Sequence, residues 1–162
     1  MSVKPVPEGF HTVTPGLCVK KSDEAIAFYQ KALGAQLLSR STSPDGKVIH
    51  AEIKIGDSVL FIADEFPNMP SGCRAPETLK GTTAGLYVYV PDVDAAFDRA
   101  VKAGAKSLMP VSDMFWGDRF GQILDPFGHI WSLATHKEDL TTEQISQRQQ
   151  AFFASAGKKQ PA

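Results

Sequence analysis

Val19-Lys20-Lys21-Ser22-Asp23-Glu24-Ala25-Ile26 returns 71 residues later as Val90-Pro91-Asp92-Val93-Asp94-Ala95-Ala96-Phe97. Val19, Asp23 and Ala25 match Val90, Asp94 and Ala96, and Lys31-Ala32 is matched by Lys102-Ala103. After a one-residue deletion Gly34-Ala35 is answered by Gly104-Ala105, and Gly56, in a hairpin-like turn, by Gly128 at a distance of 72. A spacing this steady reads as two copies of one supersecondary unit, each unable to bury its apolar face alone. Two facing half-units make a cleft, and function is expected there.

Within the first copy, His11 to Val19 reads as a strand with Val13, Leu17 and Val19 on one face. Ser22 is the expected N-cap of a helix whose first turn carries Asp23 and Glu24, where negative charge is favoured. Ala25, Ile26, Tyr29, Ala32 and Leu33 recur at helical spacing, and Gly34 ends the helix. Strands follow at Ala35 to Thr42, Lys47 to Ile55 and Ser58 to Ala63, joined by Ser43-Pro44-Asp45-Gly46 and Gly56-Asp57. The unit is therefore β-α-β-β-β.

The second copy repeats it: a strand from Gly85 to Val90, a helix near Val93 to Ala103, and a strand from Ala105 to Val111. A hairpin of Phe120 to Leu124 and His129 to Ala134 closes through Asp125-Pro126-Phe127-Gly128. Thr141 with Gln144 is a capping-box signature for a last helix, in which Ile145, Phe152 and Phe153 would dock it or meet a partner. The organisation expected over 1–162 is a single α+β domain. It has units at 9–64 and 84–136, a connector at 65–83 and a C-terminal helix at 141–155.

Composition narrows the function classes. With 162 residues, 43% hydrophobic and 22% charged, the chain fits one folded domain. A net charge of −1 gives no basic excess for phosphates, which argues against nucleic acid as a partner. No apolar run approaches the roughly 18 residues of a membrane span, and the start lacks the apolar core of a secretory signal. Cys18 and Cys73 make no disulfide framework, so a cytoplasmic location is the simplest expectation.

The chain resembles the vicinal oxygen chelate superfamily of glyoxalase I, extradiol dioxygenases and bleomycin-resistance proteins, and its PhnB-like branch in particular. The residues that carry the likeness are Ala25 to Tyr29 with Leu33-Gly34-Ala35, and His50 to Ile53 with Ile55 to Ser58. In the second half they are Tyr89 to Ala95, Phe115 to Gly121 and Asp125 to Trp131. The resemblance implies a cup of eight strands from two βαβββ units, usually completed or faced by a second subunit, hence a homodimer. Family enzymes commonly hold a divalent metal in the cup with His and Glu residues. The positions that correspond here are Thr14, Leu60, Gly85 and Ser132, none of them an imidazole or carboxylate. A catalytic metal site needs about three protein ligands, so no cofactor is expected and a divalent metal would need a displaced ligand set.

Other side chains offer chemistry. His50 and Glu52, two apart on a strand, share a face and make a candidate acid/base pair; the plainer reading is the polar side of a half-buried strand. Trp116, Asp118, Arg119 and Phe120 combine aromatic surface with charge near a loop. Arg119 could grip a carboxylate or phosphonate there, or make an internal ion pair. Tyr87 and Tyr89 share the face of Gly85 and point towards the cup. His11, His129 and His136 read as structural or solvated, and no HExxH motif or supported nucleophile is present.

The leading expectation is a cup that binds a small, mostly apolar or aromatic molecule without the usual metal, as drug-sequestering resistance proteins do. Two other readings stay open. One is a lyase, isomerase or dioxygenase-type enzyme using a displaced metal or His50 and Glu52. The other is a dimeric interaction module.

Overall fold

A computed structural model describes residues 3–69 and 72–156. The first unit runs β1 (Gly16–Val19), α1 (Ser22–Leu33), β2 (Gln36–Thr42), β3 (Val48–Ile55) and β4 (Ser58–Asp64). After a short α2 (Pro76–Leu79), the second runs β5 (Gly85–Tyr89), α3 (Val93–Ala103), β6 (Lys106–Asp113), β7 (Asp118–Leu124) and β8 (Ile130–His136). Helix α4 (Thr142–Ala156) follows. The eight strands form two four-stranded sheets, ordered β1-β4-β3-β2 and β5-β8-β7-β6. In each, the first strand lies parallel to the last and the remaining pairs are antiparallel.

Alternation along the strands decides which face each helix covers. Ala51, Ile53 and Ile55 of β3, with Leu60 and Ile62 of β4, are buried on the side of α1. Ile123, Trp131 and Leu133 are their counterparts under α3. Gly121 belongs to this packed face: a Cβ there would come within 2.9 Å of the Phe97 and Val111 side chains. The opposite, open faces carry His50, Glu52 and Phe61 in the first sheet, and Tyr87, Tyr89, Asp118, Phe120, Ser132 and His136 in the second.

The two units meet through their helices, and one apolar cluster runs through both. Tyr29 of α1 is fully buried there, and its hydroxyl donates to Asp125 Oδ2 at 2.7 Å. The same oxygen accepts from Trp131 Nε1 at 2.9 Å, while Asp125 Oδ1 accepts from the backbone N–H groups of Phe127 and His129. Arg99 Nε of α3 donates to the carbonyl of Ala32, and His129 Nε2 donates to that of Cys18. A buried carboxyl with four donors is fully satisfied, which makes this a stabilising joint rather than a cost.

Several local expectations are corrected. The first strand begins at Gly16 and not His11: the Pro15 carbonyl accepts from Phe61 N at 2.9 Å, but the residues before it pair with no strand. Ser22 is the first residue of α1 and not its N-cap; Lys21 takes that place without a side-chain bond. Asp64 does the capping from the end of β4, accepting from Ser22 N at 2.8 Å and Val48 N at 2.7 Å. The connector contains α2. By contrast, α4 has the expected box: Gln144 N donates to Thr141 Oγ1, and Thr141 N to Gln144 Oε1.

Candidate functional site

Asp118 is the centre of the open face of the second sheet. It is 3% exposed, yet its carboxylate accepts from four side chains. Tyr87 and Tyr89 hydroxyls reach Oδ2 at 2.9 and 3.1 Å, Trp116 Nε1 reaches it at 3.2 Å, and His136 Nδ1 donates to Oδ1 at 2.8 Å. Burial pushes the Asp118 carboxyl up, but the four donors, His136 foremost, outweigh it and hold the group below the usual carboxylate range. Burial, and then Asp118 itself, push both tyrosines up, so they stay protonated donors.

The strand period explains this convergence. Tyr87 and Tyr89 alternate with Leu86 and Val88, which pack into the core, and Ser132 and His136 lie on the same side of the sheet. Trp116 is brought in by the turn before β7, where Gly117 has φ +99° and a Cβ would press on the Glu138 carbonyl. The rings then order one another. Tyr87 stacks on Phe120 at 5.6 Å between centroids, Tyr89 lies 5.1 Å from Tyr87, and Trp116 meets Phe120 edge-on at 5.7 Å. Tyr87 and Tyr89 remain 45% and 62% exposed, so this aromatic surface is open to a visitor.

Arg119 is not part of it. One residue along β7 it points to the other side, where Nε and one Nη grip Asp94 of α3 at 2.6 and 2.7 Å and the other Nη takes Asp113. Its guanidinium is spent on an internal ion pair. His50 and Glu52 do share the open face of the first sheet, with Nε2 and Oε1 3.4 Å apart and the His50 ring 4.7 Å from Phe61.

The metal positions need one revision. The ladders pair Cys18 with Ala63 and Tyr89 with Ala134, so the last strands also repeat at 71 residues. The counterpart of Ser132 is thus Phe61 and not Leu60, which faces the core. The offset of 72 at Gly56 and Gly128 reflects a longer turn in the second hairpin. Thr14, Phe61, Gly85 and Ser132 supply neither imidazole nor carboxylate, so these residues do not fit the metal that the fold commonly holds. Among the described residues no three His, Cys, Asp or Glu side chains gather as a ligand set.

The sequence alone marks His136 as structural or exposed and gives no local sign of its bond to Asp118. The one pointer is strand parity, since His136 continues the face of Ser132 and Ala134.

A model of the Glyoxalase/Bleomycin resistance protein/Dioxygenase superfamily matches residues 9–133. The chain belongs to this superfamily. An uncharacterised protein of Mycobacterium bovis is 40% identical over 146 residues, covering 90% of this chain and 93% of that protein. Among solved structures, TioX of Micromonospora sp. ML1 shares 26% identity with a TM-score of 0.60, covering 78% of this chain and 98% of TioX. The PhnB protein of Bacillus cereus, at 21% identity and a TM-score of 0.60, covers 77% and 99% respectively and shares the glyoxalase fold. Among the described residues no helix is long and apolar enough to cross a membrane.

Proposed function

We propose that this superfamily member binds a small, mostly apolar or aromatic molecule on the open face of its second unit. Tyr87, Tyr89, Trp116 and Phe120 form the platform, and the protein works by binding. The observation that carries this is the buried Asp118, whose four donors fix three of the aromatic groups and His136 while leaving the tyrosine rings half exposed. Pre-ordered rings lose little freedom on binding, which is how a modest surface gains affinity. The test is a thermal-shift screen of planar aromatic compounds, followed by titration of the hits. Trp116→Ala should abolish them, and hits that survive in this variant would reject the platform.

A homodimer is part of the reading. β1 and β5 are each bonded to one neighbour only, and both sheets present an uncovered face. Free edges invite pairing with a second copy, which would close the cup over the aromatic face. Sedimentation should give twice the 17.5 kDa of one chain; a monomer at all concentrations would reject it.

The enzyme reading rests on the contact between His50 and Glu52, which is loose at 3.4 Å. A metal- or substrate-dependent turnover lost in His50→Ala would favour it over simple binding.

A further inference from the structure

The repeat is broken at the seam, and the break leaves a cavity. On one side of the seam, Phe28 and Tyr29 of α1 meet Phe127 and Trp131, with Asp125 and His129 bonding across. Applying the register of the ladders, Phe28 and Tyr29 correspond to Arg99 and Ala100, 71 residues on, and Trp131 corresponds to Leu60. Asp125 corresponds to Ile55 and His129 to Ser58, while the shorter β3–β4 turn has no counterpart of Phe127. Every change but one removes bulk or a polar bond. The exception, Phe28 to Arg99, replaces a ring with a cation.

The result is a cavity of about 810 Å³ between the β3–β4 turn, the edge of β5 and the first turns of α3. Leu33, Leu60, Leu86, Val88 and Trp131 give it apolar walls, and Arg99 lines it. Arg99 Nε is pinned to the Ala32 carbonyl at 3.0 Å, which fixes the guanidinium plane. Arg99 makes no ion pair among the described residues. The two carboxylates of the lining already accept bonds of their own: Asp92 from Ala95 N and Asp57 from the Ser58 hydroxyl. Tyr87 and Tyr89 reach its rim from the β5 edge, while Trp116, Asp118 and Phe120 take no part in it.

We propose that this seam cavity is a second binding site, adjoining the aromatic face at Tyr87 and Tyr89 but centred on Arg99, and that it takes small carboxylic acids with an apolar body. The carboxylate would seat on the free nitrogens of Arg99, whose planar fork suits it, and the body would lie against the partly exposed Leu33, Leu86 and Val88. The size falls within the range of ordinary ligand pockets.

The test uses the full chain, labelled with nitrogen-15, titrated with 3-phenylpropionate and separately with its neutral amide. The acid should give saturable amide shifts along Leu86 to Val90 and at Arg99, and bind roughly fivefold more tightly than the amide, since charge-assisted bonds are the stronger. Arg99→Gln should reduce the acid to the affinity of the amide. Ala95→Trp, on an exposed lining position, should block both, whereas Trp116→Ala should leave both unchanged. Absence of saturable shifts, as when a second copy fills the cavity, would overturn the proposal. So would shifts confined to Trp116, Asp118 and Phe120, or equal affinity for acid and amide. Because the aromatic face is tested by Trp116→Ala and the cavity by Arg99→Gln, failure of one site is distinguishable from failure of the other.

Discussion

The Tyr29 hydroxyl donates to the Asp125 carboxyl at 2.7 Å across 96 residues, tying the first helix to the hairpin of the second unit. Both groups are buried, so water cannot replace the bond. Tyr29→Phe should therefore cost about 1.5–3 kcal/mol, the range for a hydrogen bond to a charged group. Asp125→Ala should cost more, because it strands the Trp131 indole and two backbone N–H groups as well. Urea denaturation of both variants checks the order. Equal losses would show that Asp125 acts through Tyr29 alone.

His136 makes stability depend on pH. Its bonds to Asp139 and then Asp118 raise it above the ordinary 6.5, so what it adds is complete below that value and fades as pH rises through the raised one. Asp118 lies below the ordinary 3.8, so its share is complete above 3.8 and is lost as pH falls through the lowered value. The network should be fully effective between these two ordinary values. The Tm gap between the native chain and His136→Gln should be largest between pH 3.8 and 6.5 and shrink as the pH is raised above 6.5. A gap independent of pH would rule this out.

Arg119→Ala should lower the melting temperature and leave the aromatic ligand hits intact. The guanidinium holds β7 to α3 through Asp94 and to β6 through Asp113, on the side away from Tyr87 and Trp116. Loss of ligand binding in a folded Arg119→Ala protein would return this residue to the site.

Gly121→Ala should cost roughly 1–3 kcal/mol by overpacking. The added methyl would meet Phe97 and Val111 at 2.9 Å, and these side chains are packed between α3 and the sheet. Phe97→Leu in the same chain should recover part of the loss; no recovery would place the strain elsewhere.

Much of the site was legible because a strand has a period of two. Parity alone put Tyr87 and Tyr89 on the open face, and the same rule extended to His136 would have found its place beside Ser132. Arg119 shows the limit of a dense motif. Trp116, Asp118 and Phe120 come together while Arg119 between them turns to Asp94, since adjacent strand residues face opposite ways. Leu60 and Phe61 differ for the same reason: a repeat offset of 71 gives Phe61 on the open face and one of 72 gives Leu60 in the core, because a shift of one residue exchanges the two faces. Ser22 was misplaced for another reason. Its helix is capped by Asp64, which is 42 residues away and has no local signature.

By itself the sequence determined the two βαβββ units, their strand parity, the turn positions and the lack of donors at the expected metal positions. These follow from local conformational preference and from periodicity, which neighbouring residues carry. Tertiary structure alone decided that Asp118 gathers four donors, that Asp125 joins the units, and that the repeat fails at Arg99 and Ala100 to leave a cavity. Each of these depends on side chains distant in sequence sharing one buried space. In such a space the fit of volumes and the matching of donors to acceptors set the outcome, and no local pattern encodes them.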